Sequence, residues 1–208
     1  DTTGEWGGTG IFRDAECLAS ITHDGPANYS VWLFQAVDRL LDQTGLELRE
    51  IDLFAAANGP GSFTGIRVGL AAAQGWAHAL GKPLQGVSVL EAMVEEARPH
   101  TEYAISVLNA RRGEFYAAFF QRAQRVESSR SGNTDAAADH RFTPAGAGFV
   151  LKPDGLSACF QEYLSKGASL TGIARHNDAA ASALFVSQPF GWQPVTSFLV
   201  PAVARLAY

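Results

Sequence analysis

The chain has 208 residues, of which 47% are hydrophobic, enough to bury the core of one large domain or two small ones. Its formal charge of −5 and the lack of a basic run argue against a protein that binds nucleic acid on its own, because phosphate contacts need clustered Lys and Arg. No apolar run reaches the roughly 18 residues of a membrane-crossing helix, and Cys17 and Cys159 have no CxxC spacing, which predicts free thiols in a reducing, cytoplasmic compartment.

The first elements predict a strand meander followed by a helix. The polar turn at residues 1–4 (DTTG) would normally follow a strand, so we expect a short apolar strand upstream of it. Residues 9–13 and 17–22 are predicted to be the two strands of a hairpin. A helix is predicted from Tyr29 to Thr44, with Gly45 as its C-cap.

A glycine-rich turn then joins an apolar strand, residues 51–57, to a helix that runs to about Leu80. Glycine permits backbone angles closed to other residues, and Ser62 or Thr64 can cap the first helical amides. Such a turn aims free N–H groups above the strand, where an anion is the usual guest. The turn lacks the lysine of a Walker loop and the glycine spacing of a dinucleotide fold. A tight bend that binds nothing is the other interpretation.

A strand at 84–87 and a helix from about Ser88 to Pro99 complete the first half. With the expected upstream strand, the order is β-β-β-α-β-α-β-α. This is the layout of the ribonuclease-H-like lobe of actin, sugar kinases and Hsp70. We therefore predict an α/β fold with a first lobe over residues 1–100. In that layout the turn at residues 1–4 and the glycine-rich turn face one cleft.

The second half, residues 101–208, is predicted to be a degenerate second lobe that ends in a closing helix. Residues 122–140 have almost no large apolar side chain, so we expect an exposed or disordered excursion there. The other predicted elements are a hairpin of 103–108 and 114–120, a helix over 156–164, strands near 168–173 and 183–187, and a helix over 200–207 with Pro201 in its first turn.

Two helices have more apolar surface than a helix needs to cover one sheet face. The apolar arc of the helix from Tyr29 is about 200° at about 100° per residue. In the helix after the glycine-rich turn, Gly65, Gly69 and Ala72 or Ala73 form a smooth strip that another backbone can approach. Either the two helices bury each other and the sheet, or both form a protein–protein interface. The predicted interface residues are Tyr29, Trp32, Leu33, Phe34, Arg67, Gly69, Ala73 and Trp76.

No catalytic set is visible in the sequence. The five histidines are too far apart for an HxxxH or HExxH metal site, and a Gly-x-Ser-x-Gly nucleophile elbow is missing. Asp1 resembles the magnesium-binding aspartate of actin-like ATPases, but Asn58 stands where a partner carboxylate would be. We predict no catalytic residue, no metal and no intrinsic cofactor. The candidate residues of the cleft are Asp1, Thr2, Thr3, Gly59, Gly61, Ser62 and Thr64.

The stretch NGPGSFTGIRVGL at 58–70 resembles the signature of the TsaB (YeaZ) family, bacterial proteins of tRNA threonylcarbamoyladenosine synthesis. Further similar stretches are DTT at 1–3, GKPLQGVS at 81–88 and NARRGEFY at 109–116. The chain departs from the family pattern at Tyr29, where a histidine is usual, and at Asn109, where an aspartate is usual.

The resemblance implies an ASKHA fold of two βββαβα-type lobes, the second degenerate, without activity of its own. It implies pairing with the catalytic subunit TsaD and the ATPase TsaE, which would hold the metal and the ATP. It also implies a homodimer when the chain is alone, a pairing surface on the first two helices, and contact with tRNA only through the complex. That complex transfers a threonylcarbamoyl group to the adenosine next to the anticodon. The alternative is an ATP-dependent phosphotransferase or ATPase of the actin-like superfamily.

Overall fold

A computed structural model describes residues 1–25, 28–123 and 141–208 as a mixed α/β fold. The chain divides into two compact units, the first made of residues 1–92 and 196–208 and the second of residues 93–195. The elements are β1 Trp6–Arg13, β2 Glu16–Asp24, α1 Tyr29–Thr44, a 3-10 turn Leu48–Glu50, β3 Phe54–Gly59, α2 Phe63–Leu80, β4 Leu84–Ser88, α3 Val89–Ala97, β5 Tyr103–Arg111, β6 Glu114–Arg122, β7 Phe142–Pro144, β8 Phe149–Leu151, α4 Pro153–Ser165, β9 Leu170–Arg175, α5 Ala179–Val186, β10 Trp192–Val195 and α6 Val200–Ala207.

The first unit contains two separate pairs of strands. β1 and β2 form an antiparallel hairpin, while β3 and β4 pair in parallel and are connected by α2. Both long helices end at a glycine in the left-handed conformation, Gly45 after α1 and Gly81 after α2. Only glycine adopts this conformation without steric cost, which explains why both helices stop where the sequence predicts.

The core of the first unit is formed by the helices packed on these strands. α1 buries Leu33, Ala36 and Leu40, which recur at helical spacing and lie on one side of the helix. α6 buries Val200 and Val203 among others and contacts β1, β3 and β4. The closing helix therefore completes the core of the first unit.

The second unit is built on one mixed sheet with the strand order β10-β9-β5-β6-β7, and β8 also pairs with β6. β5 pairs with β6 in antiparallel fashion and with β9 in parallel. Its core residues alternate along the strands, as in Ile105 and Val107 of β5, because successive side chains point to opposite faces of a sheet. Leu156 and Phe160 of α4 and Phe185 of α5 cover the sheet.

Most predicted elements are confirmed within two or three residues, but the strand near 183–187 is wrong. Those residues belong to α5, because the carboxylate of Asp178 accepts the N–H of Ala181 at 3.0 Å and caps a helix that opens with alanines. The two units also differ from the predicted lobes, residues 1–100 and 101–208. The helix α6 belongs to the first unit, because it packs on β1, β3 and β4. Residues 124–140 of the predicted excursion lie outside the described residues.

None of the helices in the described ranges is both long enough and apolar enough to cross a membrane.

Candidate functional site

The glycine-rich turn between β3 and α2 lies against residues 1–3 of the same chain. The N–H of Ser62 donates to the carbonyl of Thr3 at 2.7 Å, and the hydroxyl of Thr2 donates to the carbonyl of Gly65 at 2.7 Å. Thr2 and Thr3 are each only 2% exposed, so this contact is part of the interior. The two segments are joined although they are about sixty residues apart in sequence.

Three glycines make this approach possible. A Cβ at Gly61 or Gly65 would lie closer than 3.0 Å to the carbonyl oxygen of Thr3 or Thr2, respectively. A Cβ at Gly69 would lie equally close to the hydroxyl of Thr2. Real Cβ atoms essentially never approach that closely, so the glycines at these positions are required by the N-terminal turn.

Two donors of the turn are used within the chain. Besides the Ser62 amide, the amide of Gly65 is capped by the Ser62 hydroxyl at 3.3 Å. The side chain of Asp1 also bonds within the chain. One of its carboxylate oxygens accepts hydrogen bonds from the amide of Thr3, at 2.9 Å, and from the hydroxyl of Thr3, at 2.6 Å. At the Ser62 amide, the carbonyl of Thr3 occupies the position of an anion, and anion binding by the rest of the turn stays a prediction.

Of the seven cleft candidates, residues 1–3 lie against Gly61 and Ser62, and the seven differ in exposure. Thr2, Thr3 and Gly59 are buried and cannot contact a ligand without a rearrangement. Asp1 is half-buried, while Gly61, Ser62 and Thr64 are exposed. Within the described residues, no group of three or more His, Cys, Asp or Glu side chains is placed to hold a metal ion.

The predicted interface residues divide into two sets. Tyr29, Leu33 and Ala73 are buried, and Gly69 faces Thr2, so these four belong to the interior of the first unit. Their contact with a partner stays a prediction. The other four reach the surface: Phe34 and Arg67 are exposed, and Trp32 and Trp76 are half-buried.

The structure places an outer face on α1 and α2, which we define by Val31 and Phe34 of α1 and by Phe63, Arg67, Ala71, Gln74, Gly75 and His78 of α2. All of these residues are exposed. Among the large apolar ones, Val31 is 52% exposed, Phe34 is 47% exposed and Phe63 is 68% exposed. The ring of Phe34 lies edge-on to that of Trp76 at 5.6 Å, so the exposed surface of α1 continues onto α2.

Small residues interrupt the side chains of this outer face. A Cβ added at Gly75 would meet nothing within 4 Å, which leaves room for a partner to approach the helix backbone. The guanidinium of Arg67 lies 3.9 Å above the ring of Phe63 and holds a cation at the same surface. The sequence had assigned the smooth strip to Gly65 and Gly69, which face inward. The i, i+4 spacing of Ala71 and Gly75 was the available signal for the outward strip.

The comparisons with known proteins agree with this architecture. The family described as "TsaD: tRNA N6-adenosine threonylcarbamoyltransferase" matches residues 23–167. Two curated relatives are both named tRNA threonylcarbamoyladenosine biosynthesis protein TsaB. The one from Bacillus subtilis is 30% identical over 58% of this chain, and the one from Escherichia coli is 32% identical over 51% of this chain. The matched segments span about half the length of these relatives, 53% and 51%.

The fold is shared with solved structures as well. The solved structure titled "YeaZ from Pseudomonas aeruginosa" superposes with a TM-score of 0.74 at 22% identity, covering 99% of this chain and 87% of that chain. Since the family model described as TsaD extends over more than half of the chain, the chain belongs to the family that this model describes, and its curated relatives and solved neighbours place it with the TsaB (YeaZ) proteins.

Proposed function

We propose that the chain is a non-catalytic, activating scaffold subunit of the bacterial complex that makes N6-threonylcarbamoyladenosine in tRNA next to the anticodon. Its direct partners are a TsaD-like catalytic subunit and a TsaE-like ATPase, and tRNA contacts the chain only as part of that complex. ATP and metal belong to the partner subunits. The curated relatives named for threonylcarbamoyladenosine biosynthesis support the pathway, and the matching family is named for the transferase itself.

The observation that carries the scaffold role is the outer face of α1 and α2. Large apolar side chains that stay about half exposed on two neighbouring helices mark an association surface, because their burial is favourable by about 25 cal/mol per Å². Phe34, Val31 and the open strip at Gly75 are its centre. The same face serves the homodimer when the catalytic subunit is lacking.

The glycine-rich turn supports the non-catalytic part of the proposal. In an ATPase of the actin-like superfamily, amides of such turns bind phosphate, whereas here the Ser62 amide donates to Thr3 and the Gly65 amide to Ser62. The ASKHA assignment, two lobes of the βββαβα type, is supported by the second unit, in which strands precede α4, β9 and α5, whereas the described first unit has only β1 and β2 before α1, β3 and α2. An ATP-dependent phosphotransferase is the alternative, and nucleotide titration of the isolated chain tests it: tight ATP binding with hydrolysis would favour that alternative.

Co-purification with the TsaD-like subunit tests the association surface. Val31→Asp places a charge on the outer face. Val150→Asp is the matched control, because Val150 on β8 of the second unit is also an exposed valine. Its side chain is 46% exposed, and that of Val31 is 52% exposed. We expect Val31→Asp and Gly75→Arg to prevent co-purification, and Val150→Asp to leave it unchanged. Circular dichroism establishes that all three variants are folded. Retention of the partner by both outer-face variants would refute the assignment of the surface.

A further inference from the structure

Arg67 is the one permanently charged side chain of the outer face of α1 and α2. Among the eight residues that define this face, none is Asp, Glu or Lys, and an arginine stays protonated in proteins. At about 100° per residue, Arg67 lies near the centre of the side of α2 that carries Phe63, Ala71 and His78. A partner that covers this side of α2 therefore also covers the guanidinium.

The guanidinium of Arg67 stacks on an aromatic ring. It lies 3.9 Å above the ring of Phe63, which precedes it by one helical turn and is 68% exposed. In the part of the chain that the structure describes, no carboxylate lies within ion-pair distance of Arg67. The N–H donors of a guanidinium lie in its own plane, so a ring stacked on one side leaves their edge open.

Burial of this cation calls for an acid opposite it. Phe63, Phe34 and Val31 favour association, because apolar surface gains free energy when it leaves water. A charge that enters the same interface without a counter-charge loses more than a neighbouring apolar side chain gains. A partner that packs on Phe63 also takes water from Arg67, since ring and guanidinium are 3.9 Å apart. A carboxylate accepts two of the N–H donors at once and so matches this edge best.

A second copy of the chain does not supply such an acid from the same face. In a twofold pair both copies use the same residues, so two Arg67 side chains would enter the contact. The face contributes no carboxylate to meet them. The acids of α1, Asp38 and Asp42, come one and two turns after Phe34 and lie outside the eight residues of the face. The charge of the face is therefore better matched by a different protein.

We propose that the outer face selects its partner through a carboxylate that pairs with Arg67. The occupant is the TsaD-like subunit, which presents an aspartate or a glutamate above Arg67 and Phe63, surrounded by apolar side chains. This inference rests on the proposed function, because it assigns the chemistry of the surface that the proposed partner brings to the same face. Specificity follows, since a partner without this acid leaves a buried cation unpaired.

Isothermal titration with the purified TsaD-like subunit measures the contribution of Arg67. Arg67→Met removes the charge and keeps a long side chain, and it should weaken binding by about thirtyfold or more. Arg67→Glu places two acids opposite each other and should weaken binding further. Arg13→Glu is the matched control, because Arg13 is also exposed but lies at the end of β1, outside the outer face. It should change the affinity by about twofold at most. Circular dichroism establishes that the variants are folded.

Carbodiimide coupling identifies the acid. Arg67→Lys places an amine at position 67, and an amide bond forms when that amine attacks a carboxylate activated by the carbodiimide. Peptide mass spectrometry is expected to show position 67 joined to an aspartate or glutamate of the TsaD-like subunit, whereas Arg13→Lys gives no such product. Coupling of position 67 to Asp38 or Asp42 of a second copy would overturn the inference. So would an assembled complex in which position 67 is not coupled.

The outcomes separate this inference from the proposed function. If Val31→Asp prevents association while Arg67→Glu binds as tightly as the unchanged chain, the inference is wrong and the proposed function stands. If the unchanged chain does not bind the TsaD-like subunit, the proposed function is refuted and the inference with it. Self-association, measured by sedimentation equilibrium, should not weaken in Arg67→Met. An equal weakening of the homodimer and of the complex would show that a second copy supplies the acid, and would overturn the inference.

Discussion

The contact between the N-terminal turn and α2 predicts opposite effects for two Gly→Ala changes in one helix. In Gly65→Ala, the added methyl group lies closer than 3.0 Å to the carbonyl oxygen of Thr2, so the turn must move. In Gly75→Ala, the methyl group meets nothing within 4 Å. Both changes gain about 1 kcal/mol or less from the higher helix propensity of alanine. The difference between them therefore measures the close approach.

The cost at Gly65 can be worked from the bonds that movement of the turn would break. The hydrogen bonds from Thr2 to Gly65 and from Ser62 to Thr3 contribute about 1 kcal/mol each. Overpacking of a closed site costs a further 1–3 kcal/mol, roughly. After the propensity gain is subtracted, Gly65→Ala is expected to destabilise the chain by about 2–4 kcal/mol.

Thermal unfolding followed by circular dichroism measures both effects. For a chain of this size, 1 kcal/mol shifts Tm by about 2–4 °C. We expect Gly65→Ala to lower Tm by about 4–16 °C and Gly75→Ala to raise it by at most about 4 °C. If the two variants shift Tm equally and in the same direction, residues 1–3 do not pack against the helix as described.

Three further changes test other contacts. Thr2→Val removes the hydroxyl that donates to Gly65, and the loss of this buried hydrogen bond should lower the free energy of unfolding by about 1 kcal/mol, measured by urea denaturation. Asp178→Ala removes the carboxylate that caps α5 and that accepts the amide of Asn109. It should lower the free energy of unfolding by about 1–2 kcal/mol and speed hydrogen exchange at the Asn109 amide. Unchanged exchange at Asn109 would contradict the contact. Burial raises the pKa of Glu91 above its usual 4.5, so its contribution to stability is present below that pH and is lost as pH rises through the raised pKa. Glu91→Gln should therefore stabilise the chain at pH 7 but not below about pH 4, and equal effects at both pH values would exclude this cause.

The sequence was sufficient to predict long elements whose ends have a chemical signal. α1 and α2 were predicted from their periodicity, and Gly45 and Gly81 mark their ends because each adopts a positive φ. The run at 183–187 has no such signal, since a short apolar run suits either a buried strand or a helix. The run forms a helix because Asp178, five residues before position 183, accepts the amide of Ala181 and caps the first turn.

The candidate site was predictable in composition but not in its contacts. The spacing of Gly65 and Gly69 indicates that a backbone approaches this side of α2, yet the spacing does not reveal which backbone it is. The partner is Thr2, more than sixty residues away in the chain, so only the tertiary fold determines the contact. The same limit applies to Tyr29 and Leu33, whose burial depends on packing and not on periodicity.

One helix thus has two sides with small residues, and they serve different purposes. The inner side, at Gly65 and Gly69, is filled by the turn at residues 1–3. Its Thr3 carbonyl accepts the amide of Ser62, a group that could otherwise bind an anion, and its Thr2 hydroxyl donates to the carbonyl of Gly65. The outer side, at Ala71 and Gly75, stays open. Since the inner contact fixes the start of α2, it also fixes the orientation of the outer face. A loss of the turn should therefore weaken partner binding without any change to a residue of the outer face, and Thr2→Val provides the variant in which co-purification can show it.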